Sequence, residues 1–344
     1  MTKRYGGLWE KIVSPENILS AYLKARKGHS GKKSVLKFGA DLENNLEKIR
    51  ISLVEKTFTT SAYTFKTVYE PKERLIYILP FSPDRIVQHA LMNVMEPIWE
   101  PMLISDSHAC IKGRGIHSGS RRTMEFVRRN PYVLKCDISK FYPSISHEIL
   151  KSIIRRKIKD KSVLWLVDDI IDSFKGKFNV PIGNYCSQWF GNLYLNELDQ
   201  FVKTELKCRD YVRYCDDFLL FGDKARLKEW SVRVEEFLDG ALGLKFSKCN
   251  LYPVKNGVDF LGYRHFDNHI IMRKSTAKRM RKRLHLLPYL YRHEKIGFET
   301  FRSSVASITG WLMWAQTGRL QERLRLDKIE KMLNMLKRKH FKEL

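Results

Sequence analysis

The sequence predicts an α+β fold in which a small antiparallel sheet carries helices on one face, and three features lead there. A short apolar run, Tyr132-Val133-Leu134-Lys135-Cys136-Asp137, reads as a buried strand ending in an acid. Residues 211–221 hold two aromatic-rich runs with Asp216-Asp217 between them, the pattern of a tight hairpin. Apolar residues at helical spacing fill much of the remaining chain. Strand, helix, hairpin, helix and strand in that order suit a sheet covered on one side.

Along the chain, residues 1–100 mix helical patterns with a basic, strand-like stretch at 69–79. Ser82-Pro83-Asp84-Arg85 reads as a helix start, followed by Ile86, Ala90, Leu91, Val94 and Met95 at helical spacing, with Pro97 and Pro101 as its stop. Residues 106–119 are polar and glycine-punctuated, a loop carrying Lys112 and Arg114. Residues 148–174 are helical and contain a second acidic pair, Asp168-Asp169, expected on a solvated helix face. Val180-Pro181-Ile182-Gly183 is a loop, and a helix from about Ser187 presents Phe190, Tyr194, Leu198 and Phe201 on one face. Another helix is expected over 225–238, and Phe260-Leu261-Gly262-Tyr263 begins a strand. The remainder is helical and basic, with Gly310-Trp311-Leu312-Met313-Trp314 as an apolar anchor.

A chain of 344 residues can bury a substantial core and form two or three subdomains. Its formal charge of +25 requires a polyanionic partner, and residues 266–344 alone hold 19 Lys and Arg against 7 Asp and Glu. With no basic amphipathic segment at the N-terminus and no apolar run of membrane-spanning length, nucleic acid is the expected partner and membrane is not. No secretory leader is expected, and six scattered cysteines without a Cys-x-x-Cys pair fit a reducing cytoplasm better than a disulfide or zinc framework.

Adjacent aspartates occur in ordinary turns, where Asp bonds its own backbone, so Asp216-Asp217 alone decides nothing. Two neighbouring anions are best tolerated beside a divalent cation. Asp137, on a strand able to pair with the hairpin, supplies a third carboxylate. Two-metal phosphoryl transfer needs such a set, with cations roughly 3.5–4 Å apart activating the attacking oxygen and stabilising the leaving one. His265 and His269 are four apart but lack the Glu of a His-Glu-x-x-His helix, so a metal site there is not expected.

Three segments in order resemble motifs A, B and C of reverse transcriptases: Asp137-Ile138-Ser139-Lys140-Phe141-Tyr142-Pro143-Ser144-Ile145, Ile182-Gly183-Asn184-Tyr185-Cys186-Ser187-Gln188 and Tyr214-Cys215-Asp216-Asp217. Phe260-Leu261-Gly262-Tyr263 is similar to the primer grip, while Pro83-Asp84-Arg85-Ile86-Val87-Gln88 and Asp106-Ser107-His108-Ala109-Cys110 resemble fingers motifs of the bacterial branch. The resemblance covers roughly residues 65–320. It implies a right-hand polymerase with fingers at 1–100 and 147–181, palm at 101–146 and 182–265, and a basic helical thumb at 266–344. Motif B carries Ile182-Gly183 and Ser187-Gln188 where most relatives have Gln-Gly and Ser-Pro, which resembles the enzymes of diversity-generating retroelements. Those enzymes make cDNA with frequent errors opposite adenine. An apolar Ile182 beside the incoming base penalises a misfit less than an unsatisfied amide would.

The resemblance further implies catalytic Asp137, Asp216 and Asp217, with the Ile138 carbonyl completing the set for two Mg2+ ions, Mn2+ being the alternative. It assigns dNTP contacts to Arg74, Lys72, Tyr142, Ile182 and Gly183. Tyr142 is the steric gate against a ribose 2′-OH, and Lys66 is a rival to Arg74 for the triphosphate. Lys248 is a candidate general acid towards pyrophosphate. Lys112, Arg114, Ser187, Gln188, Leu261 and Gly262 face template and primer. The implied partners are template RNA and its cDNA, dNTPs and a small basic oligomeric accessory protein. A retron, abortive-infection or group II intron-like reverse transcriptase is the alternative enzyme, and a non-catalytic RNA-binding scaffold the alternative outside catalysis.

Overall fold

The computed structural model describes residues 4–69 and 73–340. Two compact units divide the chain: Met1–Gly113, Lys135–Leu219 and Lys228–Asn250 form the first, and Arg114–Leu134, Leu220–Leu227 and Leu251–Leu344 the second.

In the first unit, helix Pro15–Arg26 starts at Ser14, whose hydroxyl accepts the Asn17 N–H at 3.2 Å, with Pro15 preset for the first turn. It packs against helix Ile86–Trp99, and the Asn17 amide stitches the two by donating to the carbonyls of Ile12 and Ala90. That second helix buries Ile86, Val87, Ala90, Leu91, Met92, Met95 and Trp99. Its stop falls at Trp99, between Pro97 and Pro101, where the sequence expects it. The helix continues to Trp99, because the fully buried indole packs on Trp189 and Phe190, a burial that offsets the roughly 3 kcal/mol cost of an interior proline.

The strand-like stretch at 69–79 is half of a hairpin. Strands β1 (Thr64–Val68) and β2 (Arg74–Ile78) pair antiparallel, Thr64 opposite Ile78 and Val68 opposite Arg74. Strands β3 (Tyr132–Ile138), β4 (Tyr211–Tyr214), β5 (Asp217–Gly222) and β6 (Phe246–Pro253) form a four-stranded sheet in the order β4-β5-β3-β6. Helix Tyr185–Gln200 is buried along most of its length, as its Phe190, Tyr194 and Leu198 spacing implied.

Helix Lys161–Asp172 holds the second acidic pair, but its acids are not simply solvated. Asp169 accepts the Thr60 N–H and hydroxyl at 2.9 and 2.6 Å, and Asp168 pairs with Arg155. Burial pushes the Asp169 carboxyl up, against the Thr60 hydrogen bonds.

The second unit contains strands β7 (Val258–Phe260), β8 (Tyr263–His265) and β9 (Ile270–Met272), an antiparallel meander. Phe260-Leu261-Gly262-Tyr263 is therefore a turn and not the start of a strand. Leu261 and Gly262 take φ of 54° and 84°, the two left-handed residues of a type I′ hairpin. A Cβ on Gly262 would meet the Trp311 ring at 2.8 Å, so glycine also permits that close approach. Helices Lys274–Arg292 and Phe298–Met313 bury Met280, Leu284, Leu287, Phe301, Val305, Ile308 and Leu312 against Tyr263. The tryptophan anchor is realised: Trp314 stacks on His117 at 4.7 Å and donates to Ser120 Oγ at 2.8 Å. His265 uses both ring nitrogens, on Ser120 Oγ and the Val258 carbonyl, while His269 is half-buried and stacks on Phe266. Among the described residues, no helix is long and apolar enough to cross a membrane.

Candidate active site

The β4–β5 link is two residues long, and its left-handed residue is Cys215 at φ 52°. Positive φ at the first central position alone is the pattern of a type II′ hairpin turn. The tip is thus Cys215-Asp216, with Asp217 opening β5, one residue earlier than the Asp216-Asp217 break suggests. The thiol of Cys110 lies against that of half-buried Cys215, and their hydrogen bond lowers the Cys110 pKa while raising that of Cys215, which keeps the proton.

Strand β3 lies beside β5, and Lys135 Nζ stands 3.7 Å from Asp217 Oδ2. Side chains alternate along a strand, so Asp137 lies on the same face as Lys135, one step nearer the end of β3. Ser247 of β6 donates to the Asp137 carboxylate and reaches its backbone carbonyl at 3.2 Å. Three carboxylates thereby lie at the ends of adjacent strands, with the Ile138 carbonyl next along the chain. Hard oxygen donors of this kind fit Mg2+ or Mn2+. Among the described residues, no three acidic, His or Cys side chains converge closely enough to cage an ion; Asp137 turns to Ser247 and Asp217 to Lys135.

Tyr142 is the other residue brought to this point. It sits in the short helix Phe141–Ser144, entered through left-handed Lys140. Burial raises its phenol pKa, and the nearby Cys215, Cys110 and Asp216 push the same way, so a neutral ring stands beside the turn. Helix Tyr185–Gln200 makes room for it at Gly191, where a Cβ would come 3.2 Å from Tyr142 Cε1 and 3.3 Å from its hydroxyl. Sequence reasoning missed Gly191. A glycine inside a helical pattern, which costs about 1 kcal/mol relative to Ala, was the available signal.

The loop before that helix is held on several sides. Ile182 C=O accepts the Tyr77 N–H at 2.8 Å, and Asn184 Nδ2 donates to the Tyr63 hydroxyl at 2.7 Å. Buried Gln88 accepts the N–H groups of Tyr185 and Cys186 at 3.0 and 3.4 Å. Gly183 has φ 125°, and a Cβ there would lie 2.2 Å from the Tyr77 carbonyl oxygen. Ile76 of β2 also touches this position. By strand alternation and the Lys66↔Ile76 pairing, Lys66 and Arg74 share the face of Ile76 and are both exposed. Lys72 lies outside the described residues.

The remaining expected residues are more dispersed. Ser187 is buried and donates to the Pro181 carbonyl at 2.7 Å, bracing its own loop, whereas Gln188 is exposed. Lys248 is exposed on β6 next to Ser247, the strand's side chain that reaches Asp137. Lys112 is exposed at the end of a first-unit segment; Arg114, Leu261 and Gly262 belong to the second unit.

Residues 67–265, more than half of the chain, match the family model described as reverse transcriptase (RNA-dependent DNA polymerase). The chain is 27% identical to Protein YkfC of Escherichia coli (strain K12) over 251 residues, covering 59% of this chain and 65% of that protein. It is 26% identical to the group II intron-encoded protein LtrA of Lactococcus lactis subsp. cremoris, over 57% of this chain and 35% of that one. Similarity to the retron Ec73 reverse transcriptase of Escherichia coli is 28% over 45% of this chain and 48% of that one. The matches thus span less than two thirds of each of these relatives. With the family match covering all three motif segments and the α+β right-hand polymerase class, the chain belongs to the reverse transcriptase family.

Proposed function

We propose that this chain is an RNA-directed DNA polymerase whose cDNA serves sequence diversification, with errors concentrated at template adenines. The observation that carries the polymerase reading is the grouping of Asp137, the Cys215-Asp216 turn, Asp217 and Tyr142 around adjacent strand ends. In this reading Asp137, Asp216, Asp217 and the Ile138 carbonyl hold two Mg2+ ions, or Mn2+. When bound, such ions activate a primer 3′-hydroxyl and stabilise the departing pyrophosphate oxygen. The chain's own residues position the reactants. Tyr142 blocks a 2′-hydroxyl, Arg74 with Lys72 or Lys66 grips phosphates, and Ile182 and Gly183 line the nascent base pair. Lys248 supplies a proton to pyrophosphate. Lys112, Arg114, Ser187, Gln188, Leu261 and Gly262 contact template and primer, through fingers at 1–100 and 147–181, palm at 101–146 and 182–265, and thumb at 266–344.

The diversification reading is supported by Ile182 and Gln188 in motif B. It brings template RNA, cDNA and a small basic accessory protein as partners, in the cytoplasm. Similarity to a group II intron-encoded protein and to a retron reverse transcriptase supports a second reading, a faithful bacterial enzyme of either kind.

Primer extension on an RNA template with Mg2+ and dNTPs, comparing wild type with Asp216→Asn, tests the first reading; equal cDNA yields overturn it. Sequencing the cDNA separates the two. Errors concentrated at adenine, reduced by Ile182→Gln, support diversification, and errors spread evenly over all bases support the second reading.

A further inference from the structure

Beneath the Cys215-Asp216 turn lies an ion pair sealed from solvent. Arg213 and Asp199 are both fully buried, joined by two hydrogen bonds, Nε to Oδ1 at 2.7 Å and Nη2 to Oδ2 at 2.6 Å. The Tyr211 hydroxyl also donates to Asp199 Oδ1, at 2.7 Å. Burial opposes the guanidinium charge, but Asp199 more than offsets it and holds the Arg213 pKa above its ordinary value. A buried pair of this kind is weak as a source of stability, since apolar residues of similar volume often replace one without loss. Its value here lies in the donor left over. Arg213 Nη1 reaches the Asn192 side-chain oxygen at 3.2 Å and the Cys215 carbonyl at 3.1 Å.

That carbonyl belongs to the central peptide of the turn, and its orientation separates type II′ from type I′. With the peptide held as it stands, only Cys215 has positive φ. Turned over, it would place Asp216 in the left-handed region too and re-aim its carboxylate. The strand carrying Arg213 is itself fixed: its N–H donates to the Asp106 carbonyl at 2.9 Å and its carbonyl accepts the His108 N–H at 3.0 Å. Asn192 is anchored in turn, its amide donating to the Ala109 carbonyl at 2.9 Å.

We propose that Arg213, neutralised by Asp199 and steered by Asn192, is a positioning residue that sets the peptide orientation of the Cys215-Asp216 turn and thereby aims Asp216 at the cation. This rests on the proposed role of Asp216 as a metal carboxylate. Arg213 touches no substrate and acts only through the backbone.

The test uses the full chain and Mn2+ as probe, with binding read from the loss of the free-ion electron paramagnetic resonance signal and turnover from primer extension. The double variant Arg213→Met/Asp199→Asn removes both buried charges and leaves Tyr211 an acceptor. Arg213→Lys keeps the charge, but an ammonium cannot hold Asp199 in a two-point fork and reach the Cys215 carbonyl as well. Both variants are expected to weaken Mn2+ binding and lower kcat by about tenfold or more, the scale of losing a charge-assisted hydrogen bond, with dNTP KM nearly unchanged. If the double variant does not fold, Arg213→Lys decides the matter alone. Wild-type Mn2+ affinity and kcat in a folded variant of either kind overturn the positioning role. Asp216→Asn in the same titration separates the premises. Unchanged Mn2+ binding there defeats the metal reading, whereas loss there with wild-type behaviour of the Arg213 variants defeats only this inference.

Discussion

Gly183→Ala probes how tightly the loop carrying Ile182 is bound to the β1–β2 hairpin. The new Cβ would lie 2.2 Å from the Tyr77 carbonyl oxygen, in a backbone at φ 125°. Relieving that overlap requires a displacement of about 1 Å, which is enough to break a hydrogen bond. The bond at stake is Tyr77 N–H to Ile182 C=O, 2.8 Å in length. Its loss costs about 0.5–1.5 kcal/mol, and holding alanine in a glycine-only region adds about 1–3 kcal/mol. Together these give roughly 2–4 kcal/mol of local destabilisation, or about 30- to 700-fold faster exchange of the Tyr77 amide at 1.4 kcal/mol per decade. Native-state hydrogen exchange read by mass spectrometry or NMR measures this directly. Gly28→Ala is the control: φ is 75° there, but nothing lies within 4 Å of the new methyl. Its effect on the neighbouring His29 amide, bonded to the Arg26 carbonyl, should be about tenfold or less. Unchanged protection at Tyr77, or equal effects at both sites, would refute the close-approach argument.

Other substitutions test separate parts of the account. His89 stacks on Tyr185 at 4.3 Å, and burial, followed by Arg85 and Lys24, lowers its pKa from 6.5 to about 4. Between those values the unfolded chain binds the extra proton, so stability is complete above pH 6.5 and falls as pH drops towards 4. Discounted for partial solvent exposure, the loss is roughly 1–2 kcal/mol. Urea unfolding of His89→Gln should show a shallower acid loss, and parallel curves for both proteins would count against it. Tyr142→Ala should raise rNTP incorporation relative to dNTP by about tenfold or more in primer extension, the cost of removing a steric block. Gly191→Ala, which crowds the same ring by a few tenths of an ångström, should shift that ratio less; no change with either would remove Tyr142 as the gate. Gly262→Ala, placing a methyl 2.8 Å from Trp311 at φ 84°, should destabilise the second unit by about 2–4 kcal/mol, and an unchanged Trp fluorescence melt would contradict it.

The sequence by itself determined the family and much of the local structure. The order of Asp137, Ile182-Gly183 and Asp216-Asp217 pointed to the polymerase family, and helical periodicity located the buried face of helix Tyr185–Gln200, because both are patterns of neighbouring residues. Partners distant in the chain were decided only by tertiary structure. Asp168-Asp169 has the polarity of a solvated face, yet Thr60 and Arg155 claim those acids from elsewhere in the fold. Pro97 and Pro101 mark the end of their helix, and packing of Trp99 places it between them. Ser247 on Asp137 and Gln88 under the Ile182 loop bear no local mark of their roles. The same is true of the turn itself. Two adjacent aspartates announce carboxylates, but whether Cys215 or Asp217 shares the tip with Asp216 depends on the backbone register of the hairpin. Periodicity records which face a residue lies on, whereas burial and hydrogen bonding depend on what the rest of the chain brings to that face.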